Sequence, residues 1–167
     1  FNLSGFNAYT GDTIITNGTL GVNSDNALGN GGDIRMGAAA GQVATLRTTA
    51  PIIDLPRKII LSGAGGRLDT RGFVSTLSRV ISGTGGLTQF SSLGGGVQAG
   101  AFFITGNNTY TGGTTINQGV FNINANSGLG DPSGNITINN GAGLWLQHPM
   151  TIARAITLGN LSGGTVN

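Results

Sequence analysis

A long-range match of the chain to itself constrains its fold more than any other feature. Residues 3–29 read LSGFNAYTGDTIITNGTLGVNSDNALG, and residues 104–130 read ITGNNTYTGGTTINQGVFNINANSGLG, aligned without a gap at an offset of 101. Gly5/Gly106, Asn7/Asn108, Tyr9/Tyr110, Thr10/Thr111, Gly11/Gly112, Thr13/Thr114, Ile15/Ile116, Gly18/Gly119, Asn23/Asn124, Leu28/Leu129 and Gly29/Gly130 are identical. The match continues with small slips. Gly32-Asp33-Ile34-Arg35-Met36 pairs with Gly134-Asn135-Ile136-Thr137-Ile138, and Pro51 pairs with Pro149. Arg57-Lys58-Ile59-Ile60-Leu61 pairs with Arg154-Ala155-Ile156-Thr157-Leu158, and Leu68-Asp69 with Val166-Asn167. The chain, residues 1–167, therefore reads as one segment whose internal repeat 3–69 matches 104–167. Self-similarity on this scale is the mark of an array whose units lean on their neighbours. Because the second copy ends mid-repeat, a longer parent array is expected.

Within each copy the apolar residues alternate with period two. Leu20 and Val22 share one face, as do Phe121 and Ile123, Ile34 and Met36, and Ile136 and Ile138; Arg35 and Thr137 point the other way. That is the pattern of a half-buried strand, so these eight apolar residues are predicted to be buried. Gly, Asn, Asp and Ser separate the strands and accept tight turns. With 32 Gly and no Glu in the chain, helix is strongly disfavoured. A 38 % hydrophobic content argues against disorder. The fold class expected is all-β, a right-handed parallel β-helix or β-solenoid, with coils of about 20–25 residues, about seven or eight of them. An antiparallel sandwich is the alternative, with Asn17-Gly18 and Asn140-Gly141 as hairpin turns.

The stretch Asn107-Asn108-Thr109-Tyr110-Thr111-Gly112-Gly113-Thr114-Thr115-Ile116 resembles the autotransporter-associated β-strand repeat, also called the passenger-associated transport repeat. Val80-Ile81-Ser82-Gly83-Thr84-Gly85-Gly86-Leu87-Thr88 resembles it too. The resemblance implies a right-handed β-helical passenger of an exported bacterial surface protein, with a role in secretion and folding at the cell surface. The segment Gln89 to Ala101 departs from the repeat's pattern and is expected to form a loop or bulge.

Catalytic chemistry finds little footing. Glycoside hydrolysis generally uses two carboxylates at a set separation. The carboxylates are Asp12, Asp25, Asp33, Asp54, Asp69 and Asp131, and in the second copy Gly113, Asn126, Asn135 and Asn167 replace the first, second, third and fifth. Exchange of Asp with Asn is turn chemistry, although Asp33 and Asp54 lie about one coil apart and are the pair to test. His148 is the only histidine and there is no cysteine, so no metal is expected, and no nucleophile elbow is present. Gly29-Asn30-Gly31-Gly32-Asp33-Ile34 is like a calcium-binding nonapeptide, but no tandem run follows it. No cofactor and no catalytic residue are assigned, and the chain is expected not to be an enzyme. Trp145 is predicted to be core by default; in the other register it is exposed and could stack on a sugar or a neighbouring chain.

The cations are spaced along the chain and net charge is only +2, which makes nucleic acid an unsuitable partner. No apolar stretch approaches the ~20 residues that span a bilayer. The function expected is a structural stalk or spacer in a secreted or surface-displayed adhesin-like or filamentous protein. The alternative is a carbohydrate-binding or polysaccharide-degrading β-helix module. Expected partners are neighbouring repeats or copies of the chain through open coil ends, with a surface glycan or host receptor as a further candidate.

Overall fold

The computed structural model describes residues 1–94, 99–139 and 141–159. Among them every strand pairing is parallel, and the strands form three sheets. The long sheet holds eight strands: Asn2–Leu3, Gly18–Val22, Ala44–Thr48, Gly66–Asp69, Leu87–Phe90, Thr114–Ile116, Ile136–Ile138 and Ile156–Leu158. An early sheet holds Thr13–Ile15, Ile34–Ala38, Ile59–Gly63 and Ile81–Gly83. A late sheet holds Val74–Leu77, Ala101–Ile104, Val120–Ile123 and Gly143–Leu146. The result is a β-solenoid of about seven coils.

Successive partners in the long sheet stand 19 to 27 residues apart, from Asn2 beside Gly21 to Leu87 beside Thr114. The coil is thus more variable than the sequence predicts. Asn17-Gly18 joins the strands Thr13–Ile15 and Gly18–Val22, which lie in different sheets, so it is a corner and not a hairpin. Asn140 lies outside the described residues. Helix is confined, among the described residues, to short 3-10 turns at Asp25–Leu28 and Asn126–Leu129.

Parallel in-register stacking places like residues over like. Leu20, Leu46, Leu68, Gln89, Ile116 and Ile138 form one such ladder. In the early sheet Ile34, Ile59 and Ile81 are fully buried; in the late sheet Phe102 and Phe121 stack with Ser75 and Leu144. Each such apolar side chain contributes about 2 kcal/mol on burial. Of the eight residues predicted to be core, Val22, Ile34, Met36, Phe121, Ile123 and Ile136 are fully buried, whereas Leu20 and Ile138 are half-buried and pack against the core. Gln89 is the exception in its ladder. It is fully buried, donates its amide to the Gln118 carbonyl at 3.3 Å, and leaves Oε1 without a partner.

Gln89 also opens the segment expected to be irregular. The irregularity is narrower than that: Gln89 and Phe90 end one strand and Ala101 begins the next. Ser91 to Gly94 form a turn, and residues 95–98 lie outside the described residues.

The matched strands of the two copies occupy different faces. Four coil steps along the long sheet carry Gly18–Val22 to Thr114–Ile116. The strand that matches Gly18–Val22 in sequence is Val120–Ile123, one face further on, in the late sheet. Likewise Thr13–Ile15 lies in the early sheet and its match Thr114–Ile116 in the long sheet. An offset of 101 residues therefore winds four coils plus one face.

Candidate functional site

The stretch the two copies share most fully forms a clamp between coils. In the second copy Asn108 is 4 % exposed. Its Nδ2 donates to the Gly128 carbonyl at 2.9 Å in the following coil, and its Oδ1 accepts the Ile81 N–H at 2.7 Å from the preceding one. Tyr110 is fully buried and its hydroxyl lies 2.6 Å from Thr114 Oγ1. Thr114 Oγ1 donates in turn to the Leu129 carbonyl at 3.2 Å, so the phenol is the donor of the first bond. Burial raises the phenol's pKa well above its ordinary value, which keeps that proton in place. Gly130, at φ 77°, passes under the ring, where a Cβ would strike the Tyr110 carbonyl and ring.

The first copy repeats the local geometry. Asn7 Nδ2 donates to the Ala27 carbonyl at 2.8 Å, the Tyr9 hydroxyl lies 2.7 Å from Thr13 Oγ1, and Gly29 at φ 71° faces the Tyr9 ring. Tyr9 is nevertheless 37 % exposed, because only the following coil packs against it.

An arginine completes each clamp from two coils on. Arg57 pairs with the Asp25 carboxylate through Nε and donates to the carbonyls of Gly29 at 2.7 Å and Gly32 at 3.1 Å. Its sequence match, Arg154, donates to the carbonyls of Leu129 at 2.9 Å, Gly130 at 3.1 Å and Asp131 at 2.9 Å. Both guanidinium groups thus collect carbonyls at and just beyond the end of a 3-10 turn. The two arginines stand at matched positions of the repeat, which is the signal of this role that the sequence carries.

The carboxylates act within this framework. Asp12 binds Arg35 at 2.5 Å and accepts the Asp33 N–H at 2.9 Å, bonds that hold its pKa below the ordinary value. Asp69 is buried, which pushes its pKa up, but the Ser92 N–H, Arg47 and the Arg71 N–H outweigh that and lower it. Asp131 is lowered by the Ser133 hydroxyl and N–H. Of the pair singled out, Asp54 accepts from Ser78 Oγ at 2.8 Å, while Asp33 lines a polar hollow with Arg57, Lys58 and Arg79 that does not include Asp54. Among the described residues no three His, Cys, Asp or Glu side chains gather in metal-binding geometry. His148 is exposed. Trp145 is 56 % exposed, which overturns its default placement in the core. Its neighbour Leu144 packs inward, and strand alternation turns Trp145 out. No helix among the described residues is long and apolar enough to cross a membrane.

An all-parallel solenoid whose coils are stapled by a recurring Asn-x-Tyr-Thr-Gly clamp is a repeat protein of the stacked-coil class. Sequence comparison agrees: the passenger-associated-transport-repeat family matches residues 1–22 and 98–123, so the chain carries that repeat twice. It is similar to the "Adhesin BmaC autotransporter" of Brucella suis biovar 1 (strain 1330), 39 % identical over 141 residues, or 84 % of this chain. The chain spans 4 % of that relative's length. No solved structure gives a significant match.

Proposed function

We propose that the chain is a rigid, non-enzymatic spacer in a protein displayed at the bacterial cell surface or released from it, an autotransporter passenger of adhesin or filament type. Residues 1–167 act as one solenoid segment in which repeat 3–69 recurs as 104–167. The observation that carries this reading is the eight-stranded parallel sheet, reinforced by side-chain clamps that each tie three or more coils. The relative's name, an autotransporter adhesin, supports the setting. Partners are neighbouring coils or further copies stacked on the coil ends, where Phe6, Ile156 and Leu158 are 73 %, 47 % and 51 % exposed.

Seven steps of about 4.8 Å give a rod of about 34 Å. Spin labels at Thr19 and Thr157 report its stiffness by pulsed electron resonance. A narrow distance distribution is expected; one as broad as that of a flexible chain refutes the spacer. A glycan panel tests the enzymatic alternative: products that vanish in Asp33→Asn or Asp54→Asn refute the non-enzymatic reading.

A further inference from the structure

The two copies agree inside and differ outside. In the first copy the outward column of the long sheet runs Asn2, Gly21, Arg47 and Asp69, closed by the 2.6 Å Arg47–Asp69 ion pair. The matching column of the second copy, on the late sheet, runs Phe103, Asn122 and Trp145. Phe103 takes the place of Asn2, Asn122 of Gly21, and Trp145 of Arg47. Nothing in the clamp or the interior requires this exchange, because both copies make the same inward ladder.

At this place lies a groove of about 320 Å³ lined by Val74, Ala101, Phe103, Val120, Asn122 and Trp145, together with two glycines. Three observations define its occupant. No lining residue is ionisable, so the complementary ligand is neutral. Phe103 and Trp145 stand two coils apart, about 9.6 Å, a spacing that meets every second ring of an extended β-linked sugar chain laid along the axis. Asn122, only 7 % exposed, lines the groove between them, and its Oδ1 has no hydrogen-bond partner. An orphaned amide oxygen at such a depth is costly to leave unpaired, and a donor that enters the groove, such as a sugar hydroxyl, matches it. Apolar walls with one or two placed polar groups are the ordinary composition of a small-ligand site.

We infer that the groove between Phe103 and Trp145 is a binding site for a neutral β-linked glycan, with the two aromatic side chains against alternate sugar rings and Asn122 accepting a hydroxyl. The site needs no hydrolysis and is independent of the spacer role. A spacer without the site passes the distance measurement and fails the one below.

Trp145 is the only tryptophan, so its fluorescence reads the groove directly. The 167-residue chain is titrated with cellohexaose and chitohexaose, with polygalacturonate as the anionic control. At least one neutral hexaose is expected to shift the emission to shorter wavelength and saturate, with no response to the polyanion. Trp145→Ala, followed by calorimetry, and Asn122→Ala are each expected to weaken binding at least tenfold while the thermal unfolding midpoint stays near that of the parent chain. No response to either hexaose at millimolar concentration overturns the inference. So does an emission shift that follows protein concentration without sugar, which assigns the groove to a second copy of the chain. Unimpaired binding in Trp145→Ala also overturns it, because the sugar then sits elsewhere.

Discussion

Tyr9 and Tyr110 occupy matched positions, make the same bond to a threonine four residues on, and face matched glycines. One is 37 % exposed and the other fully buried. The difference is the number of coils around each. Tyr110 lies between the coil of Ile81–Gly83, which accepts the N–H groups of Thr109 and Thr111, and the coil of Asn126–Leu129. Tyr9 has only the second kind of neighbour. The repeat therefore specifies the shape of a clamp, while stacking decides how much that clamp is worth.

Truncating the two tyrosines gives the widest separation. Tyr110→Ala is expected to cost about 4 kcal/mol, and Tyr9→Ala about 1 kcal/mol, because large core truncations cost most where the cavity cannot collapse or fill with water. Urea denaturation of the two variants measures the gap; equal losses would mean that the first coil is covered in solution.

The arginines come next. Arg57, with its side chain 5 % exposed, holds a carboxylate as well as carbonyls, whereas Arg154 meets Asn126 in place of Asp25. Arg57→Ala is expected to cost about 3 kcal/mol, since it strands a charge and buried carbonyls, and Arg154→Ala about half of that. Asp25→Asn, measured by the same denaturation, narrows the gap if the ion pair is its source.

A smaller effect distinguishes the copies by pH. Asp69 has a lowered pKa in the folded chain. Its contribution is therefore complete above its unfolded pKa of about 3.9 and is lost as pH falls through the lower folded value. Asp69→Asn is expected to remove about 2 kcal/mol at neutral pH and to flatten the acid limb of stability against pH. An unchanged acid limb would assign that limb to Asp12 and Asp131, the other carboxylates held low. The smallest effect is at Trp145, exposed on the outer column, where Trp145→Ala is expected to move stability by less than about 0.5 kcal/mol.

These contrasts mark how far the sequence could be read. The burial of Val22, Ile34, Met36, Phe121, Ile123 and Ile136 is legible because inward and outward alternate by a local rule of period two. The shared Asn-x-Tyr-Thr-Gly stretch is legible because it recurs. The placement of Trp145 was not: Leu144-Trp145-Leu146 fits either register, and only pairing with Phe121-Asn122-Ile123 fixes which side faces the core. The bonds of the clamp arginines were not, because Arg57 and Asp25 lie 32 residues apart and meet only when the next coil has been wound.

By itself the sequence determined the all-β class, the inward side of strands such as Ile34 to Met36 and Phe121 to Ile123, and the repeat, since each follows from neighbours a few residues away or from one copy laid on another. The tertiary structure alone decided the face on which each strand lies, the burial of Tyr110 against Tyr9, and the aromatic groove of the late sheet. The physical reason is accumulation. Position around a solenoid axis is the running sum of every preceding corner and strand, so coils of 19 to 27 residues carry matched motifs to different faces, and no local rule contains that sum.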